Sequence, residues 1–101
     1  MFAEDHFNKL NPAEHELLTK LFEECSEITQ AIAKTMLHGL ESTEPGCALS
    51  NREKIQNELG DLTFFVQLAA KYGLIDPKEI KKATERRAKR TNHYLHHVEV
   101  D

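Results

Sequence analysis

Cysteine is scarce in this chain. Cys25 and Cys47 are the two thiols, and they lack CxxC spacing, so neither a disulfide framework nor a zinc knuckle is available; ordinary reduced thiols are expected. Long apolar runs are missing as well. No stretch approaches the ~20 residues that a bilayer-spanning helix needs, and no secretory signal pattern opens the chain. Membrane partners are excluded on this reading. The expected location is the cytoplasm, or the host cytoplasm if the gene is carried by a phage. Alternation of apolar and polar residues over strand lengths is absent, and so is any internal repeat. A surplus of positive charge is absent too: charged residues make up 30% and the net charge is −4, which argues against a nucleic-acid-binding module.

What remains is a chain of 101 residues, long enough for one domain over 1–101 and one modest core. So small a core is marginal by itself, and association between copies is expected. Charge is unevenly placed. The first 61 residues hold most of the acid, whereas "KEIKKATERRAKR" at 78–90 carries seven Lys/Arg against two Glu. An acidic front and a basic back suit a site that takes up metal cations and polyphosphate together.

Capping chemistry marks three helix starts. "NPAE" offers Asn11 as N-cap, Pro12 at the first helical position and Glu14 to close a capping box. "SNRE" repeats the device with Ser50 and Glu53, and "DPKE" with Asp76, Pro77 and Glu79. Gly39 and Gly73 mark two stops. The expected fold is all-α, a helical bundle with main helices at about 12–38, 51–72 and 77–97 and a short N-terminal helical turn. "GLESTEPGCALS" at 39–50 is the one Gly/Pro/Ser-rich connection, long for a helical hairpin.

At 100° per residue, Leu17, Leu18, Leu21, Phe22, Cys25, Ile28 and Ile32 form an apolar stripe on the first helix. Glu24 falls at its edge, Glu27 one step further round, and Glu23 points further away. On the second helix Ile55, Leu59, Leu62, Val66 and Ala69 form the stripe, with Glu58 and Asp61 on the flank shared by Phe65 and Tyr72. Carboxylates on a partly apolar flank need cations, because burying a bare one costs several kcal/mol. A lone ExxE is ordinarily solvated surface. Two acidic pairs, each flanking an apolar stripe on adjacent antiparallel helices, point to a metal instead. Oxygen-only donors select a hard ion, Mg²⁺ or alternatively Mn²⁺, over zinc. A di-iron bundle would show ExxH, which none of the six histidines supplies.

"EECSEITQAIAK" followed by "NREKIQNELGDLTFF" resembles the EExxE…ExxD signature of the MazG-like all-α nucleoside triphosphate pyrophosphohydrolases. The resemblance runs from about Leu17 to Ala70 and is nearest to the small single-domain members of bacteria and phages. It implies Glu24, Glu27, Glu58 and Asp61 as Mg²⁺ ligands, the four acids the helical wheel had singled out. Residues 28–57 separate the two halves, slightly beyond the family's usual spacing, and the surplus falls in the 39–50 connection. The implied reaction is hydrolysis of a nucleoside triphosphate to the monophosphate and pyrophosphate.

Glu23 is the candidate to position the attacking water, with an exposed intrahelical ion pair as its alternative. Lys34 shares the Glu27 side of its helix and is a candidate phosphate contact, as are Arg87 and Arg90 on the basic helix. Asn51 is a candidate substrate contact, weighed against a plain capping role. Phe22, Phe64, Phe65 and Tyr72 offer base-stacking surface without naming a base. Three rival readings stay open: a phosphoribosyl-ATP pyrophosphohydrolase, a nucleotide binder without turnover, and a non-catalytic helical interaction module. A homodimer or homotetramer is expected under the enzymatic reading.

Overall fold

The capping signals translate directly into helix ends. The structure, a computed structural model, describes residues 7–91 and 94–100. Three helices follow one another: α1, Pro12–His38; α2, Asn51–Lys71; and α3, Pro77–Thr91, with no strand among the described residues. Asn11 Oδ1 accepts from the Glu14 N–H at 2.8 Å, and Glu14 Oε1 accepts from the Asn11 N–H at 2.9 Å. Ser50 and Glu53 close an equivalent box at the start of α2, and the N–H of Ser50, then its hydroxyl, hold the Glu53 carboxyl below its ordinary range. The third start realises half of the device. Asp76 accepts from the Lys78 N–H at 2.9 Å, while Glu79 turns to Lys82 Nζ at 3.2 Å. Gly39 ends α1 with φ 92°, a left-handed backbone that a side chain disfavours, and its N–H donates to the Thr35 carbonyl at 2.8 Å.

Two expectations change at the ends. The third helix stops at Thr91, and residues 94–97 form turns and bends. The N–H groups of Tyr94 and Leu95 both donate to the Thr91 carbonyl, at 2.9 and 3.3 Å. The expected N-terminal helical turn falls largely on residues 1–6, outside the described residues; residues 7–8 form a plain turn.

The packed unit is the hairpin of α1 and α2. Asn51, first in α2, donates from Nδ2 to the Gly39 carbonyl at the end of α1, at 2.9 Å. Glu58, further along α2, lies beside Glu24 and Glu27, back along α1. The two helices therefore run antiparallel. On α1 the inward line is Leu17, Leu21, Glu24, Ile28, Ala31 and Thr35; on α2 it includes Asn51, Ile55, Glu58, Leu62, Val66 and Ala69. Each is built from steps of three and four residues, the spacing of a helix–helix seam. This corrects the stripes expected from the wheel. Leu18, Phe22, Cys25, Ile32 and Leu59 lie exposed, while Glu24 and Glu58 take seam positions themselves.

The remaining burial is thin. Among the described residues, Leu17, Ala31 and Ala69 are the buried apolar side chains. No residue of α3 is buried, and α3 packs at most marginally on α1 or α2, so the single chain is a helical hairpin with a third helix beside it, not a closed three-helix bundle. Val100 comes back to line a groove on α3 with Ile80, Ala83 and Arg87.

Candidate active site

The seam brings carboxylates together because α1 and α2 each place an acid where a core residue would sit. Glu24 and Glu27, one turn apart on α1, meet Glu58 on α2, with one oxygen of each lying within 4.8 Å of the others. Glu24 and Glu58 are half-buried and Glu27 is exposed. One oxygen each of Glu24 and Glu58, Oε2 in both cases, is shielded from solvent and has no hydrogen-bond partner. Such an oxygen costs about 1–3 kcal/mol or more if left so, the more because it belongs to a charged group.

The proton partly relieves this in the absence of a metal. The Glu58 carboxyl is pushed up to about 7, first by a hydrogen bond with Glu27, then by burial, then by the negative charges of Glu27, Glu24 and Asp61. A hydrogen bond between two carboxyl groups requires one proton between them, so the cluster holds a proton near neutrality. Asp61 is exposed and stands outside the three-carboxylate group, but close enough for its charge to act on Glu58. An all-oxygen set with partnerless, inward-facing oxygens fits a hard divalent cation, which would neutralise the acids and satisfy those oxygens.

The other candidates are placed more widely. Glu23 turns away from the cluster to Lys20 Nζ at 3.7 Å, with both side chains half exposed. Asn51 is 3% exposed and works as a clasp: its Nδ2 holds the Gly39 carbonyl, and its N–H donates to the Ser42 carbonyl at 2.9 Å. Lys34 lies at a pocket of about 190 Å³ lined also by His38, Ser42, Glu44 and Asn51. Arg87 and Arg90 sit on α3, which packs at most marginally on α1 or α2; the Arg87 guanidinium lies 6.0 Å over the Tyr94 ring.

The structure brings a further cation, Lys54, which sequence reasoning passed over as a candidate, to the loop end of the seam. It stands one turn before Glu58, is 20% exposed, and reaches Glu44 Oε2 at 3.5 Å, while Lys34 reaches Glu44 Oε1 at 2.6 Å. The signal was present in the KxxxE spacing of Lys54 and Glu58, but the approach of Lys34 and Lys54 from two helices depends on the hairpin register.

Comparison with known families decides the assignment. The family model described as the MazG nucleotide pyrophosphohydrolase domain matches residues 13–95. The chain belongs to the MazG nucleotide pyrophosphohydrolase family. The match extends from α1 through α3, further than the two acidic motifs, so the basic α3 is part of this MazG domain. No curated protein and no solved structure matches the chain. No helix among the described residues is long and apolar enough to cross a membrane.

Proposed function

We propose that this MazG-family protein hydrolyses a nucleoside or deoxynucleoside triphosphate to the monophosphate and pyrophosphate, with Mg²⁺ as the preferred ion and Mn²⁺ as a substitute. The observation that carries the reading is the meeting of Glu24, Glu27 and Glu58 across the seam, with two inward oxygens that no protein group satisfies. The non-catalytic alternative requires a solvated acidic face, and Glu24 and Glu58 do not form one.

Glu24, Glu27 and Glu58 would hold the metal, with Asp61 beside them as a further carboxylate. A bound divalent ion supplies charge neutralisation at the phosphate oxygens and polarises the attacking water. The protein supplies the rest. The seam holds the carboxylates at fixed spacing, so little reorganisation is needed when charge develops at the α–β linkage. Lys34 and Lys54 offer cations along the same seam toward the 39–50 connection. Glu23 is assigned to positioning the water. Its exposed pair with Lys20 is worth at most about 1 kcal/mol, so release from Lys20 is cheap. Glu23→Gln should slow turnover while leaving metal binding intact; unchanged turnover removes Glu23 from the reaction.

Arg87 and Arg90 reach substrate in this reading through association, as α3 of one chain covers the acid cluster of another in a homodimer or homotetramer. The unpacked state of α3 supports that arrangement.

The deciding experiment incubates the protein with canonical dNTPs and NTPs plus Mg²⁺ and separates monophosphate, diphosphate and pyrophosphate. Monophosphate with pyrophosphate is the expected product pair, and the panel identifies the base. Turnover of phosphoribosyl-ATP alone would move the protein to that substrate. Absence of turnover with every one of these would overturn the enzymatic reading.

A further inference from the structure

Glu44 occupies an unusual position for an acid in a connection. Its two carboxylate oxygens reach two lysines on two different helices, Lys34 on α1 at 2.6 Å and Lys54 on α2 at 3.5 Å. The Lys34 hydrogen bond and charge, followed by the Lys54 charge, hold the Glu44 carboxyl below its ordinary range. Lys54 is one turn from Glu58, and Lys34 is two turns beyond Glu27. The lysine pair thus continues the line of the acid cluster along the hairpin, with cations following carboxylates. A triphosphate laid along this line, its reacting linkage at the acids, points its terminal phosphates at the two lysines.

We propose that Glu44 is an internal stand-in for those phosphates: its carboxylate holds Lys34 and Lys54 together in the free protein, and the terminal phosphates of the substrate displace it. This rests on the triphosphate pyrophosphohydrolase reading above. The exchange is local. The Glu44 backbone is fixed by a tight turn, in which its carbonyl accepts from the Cys47 N–H at 3.0 Å and Gly46 takes φ 80°. The connection is clasped at its ends by the Asn51 bonds to Gly39 and Ser42 and by the Arg52 N–H to the Leu40 carbonyl, 2.8 Å. Only the Glu44 side chain has to swing out. Two partly exposed ion pairs are weak enough to be exchanged, and a polyphosphate offers more charge and more acceptor oxygens than a carboxylate. Substrate therefore binds against an internal competitor, which sets its affinity without touching the reacting atoms.

Glu41 supplies the control. It is a second acid in the same connection, but it pairs with Arg52 Nε at 2.6 Å and not with the lysines. Calorimetric titration of inorganic tripolyphosphate, at fixed Mg²⁺, into the full-length protein tests the proposal. Glu44→Gln should tighten binding about three- to tenfold, the order that two partly exposed ion pairs supply. Glu41→Gln should change it less than twofold. Adding Lys34→Met to Glu44→Gln should remove most of the gain, and circular dichroism checks that each variant is folded. Unchanged or weaker binding by Glu44→Gln would make Glu44 a simple tether and overturn the proposal. So would an equal gain from Glu41→Gln, which would reveal only the general charge field, or failure of tripolyphosphate to bind any variant. The hydrolysis panel is read separately. Turnover with no Glu44 effect rejects the stand-in alone, whereas a Glu44 effect without turnover rejects the enzymatic reading alone.

Discussion

Glu58 shows how a single seam residue ties stability to chemistry. Its carboxyl is raised from 4.5 to about 7, so between those values the folded metal-free protein keeps a proton that the unfolded chain has released. The sign follows from linkage: this contribution to stability is complete below about pH 4.5 and is lost as the pH rises through about 7. A divalent ion competes with that proton, so its affinity should climb over the same interval. Thermal melts with and without Mg²⁺ at pH 5.5, 7 and 8.5 check both halves. The metal-free midpoint should fall across the series, and the Mg²⁺-induced increase should grow. Glu58→Gln should raise the metal-free midpoint at pH 8.5 and abolish the Mg²⁺ response. Hydrolysis should fall at least a hundredfold in that variant, a loss of about 2.7 kcal/mol or more in transition-state stabilisation. Asp61→Asn is expected to cost activity as well while shifting the Glu58 titration toward lower pH, since one of the charges that raise it is gone; a pH–rate profile reads that shift. Lower metal-free stability in Glu58→Gln at pH 8.5 would contradict this account.

At the scale of elements, the α1–α2 hairpin depends on its clasp at Asn51. Replacing Asn51 by Ala leaves the Gly39 carbonyl without its side-chain donor, at a cost of about 1–3 kcal/mol, and loosens the 39–50 connection that carries Glu44. A drop of several degrees in melting temperature is expected, and Asn51→Asp should not rescue it because a carboxylate cannot donate to a carbonyl. The helix ends around this clasp were legible in the sequence because capping is local: Asn11 with Glu14 and Ser50 with Glu53 are each decided within four residues. Spacing and family likeness together singled out the three acids that meet across the seam, Glu24, Glu27 and Glu58, along with Asp61, which stands outside the group. What the sequence could not reveal is the rotation of each helix about its own axis. On the wheel Leu18 and Phe22 join the same stripe as Leu17 and Leu21, and only the register between α1 and α2 turns the first two outward and Glu24 inward. The Glu44 bridge escaped for the same reason, since Lys34 and Lys54 are twenty residues apart in a line and neighbours only across the seam. The early end of α3 is announced by no proline or glycine after Thr91, so the sequence offered nothing to stop the expected helix short of 97.

For the whole molecule, the exposed surface is larger than that of a compact monomer of the same mass. The chain exposes 8277 Å², whereas a folded monomer of 11.6 kDa exposes about 5,800 Å². Its radius of gyration is 17.5 Å against about 13 Å for a compact chain of this length. The difference in area, roughly 2,400 Å² per chain or about 4,800 Å² over two chains, falls within the about 2,000–5,000 Å² that obligate homodimers bury over both partners. The apolar side chains needed for such an interface are in place. Leu18, Phe22, Ile32 and Met36 follow one another along α1 on the side turned from the seam, at 41%, 77%, 44% and 83% exposure. This spacing is the one a second helix would cover. Phe22→Glu on this stripe should therefore dissociate the assembly. If association is what brings α3 of one chain over the acid cluster of another, loss of the interface should also lower activity in parallel. Light scattering of the wild-type protein should give at least twice the 11.6 kDa chain mass, and Phe22→Glu should move it toward one chain with a lower melting temperature. A wild-type monomer with full pyrophosphohydrolase activity would break the connection between this exposed stripe and function, and would require α3 to reach the acids of its own chain in solution.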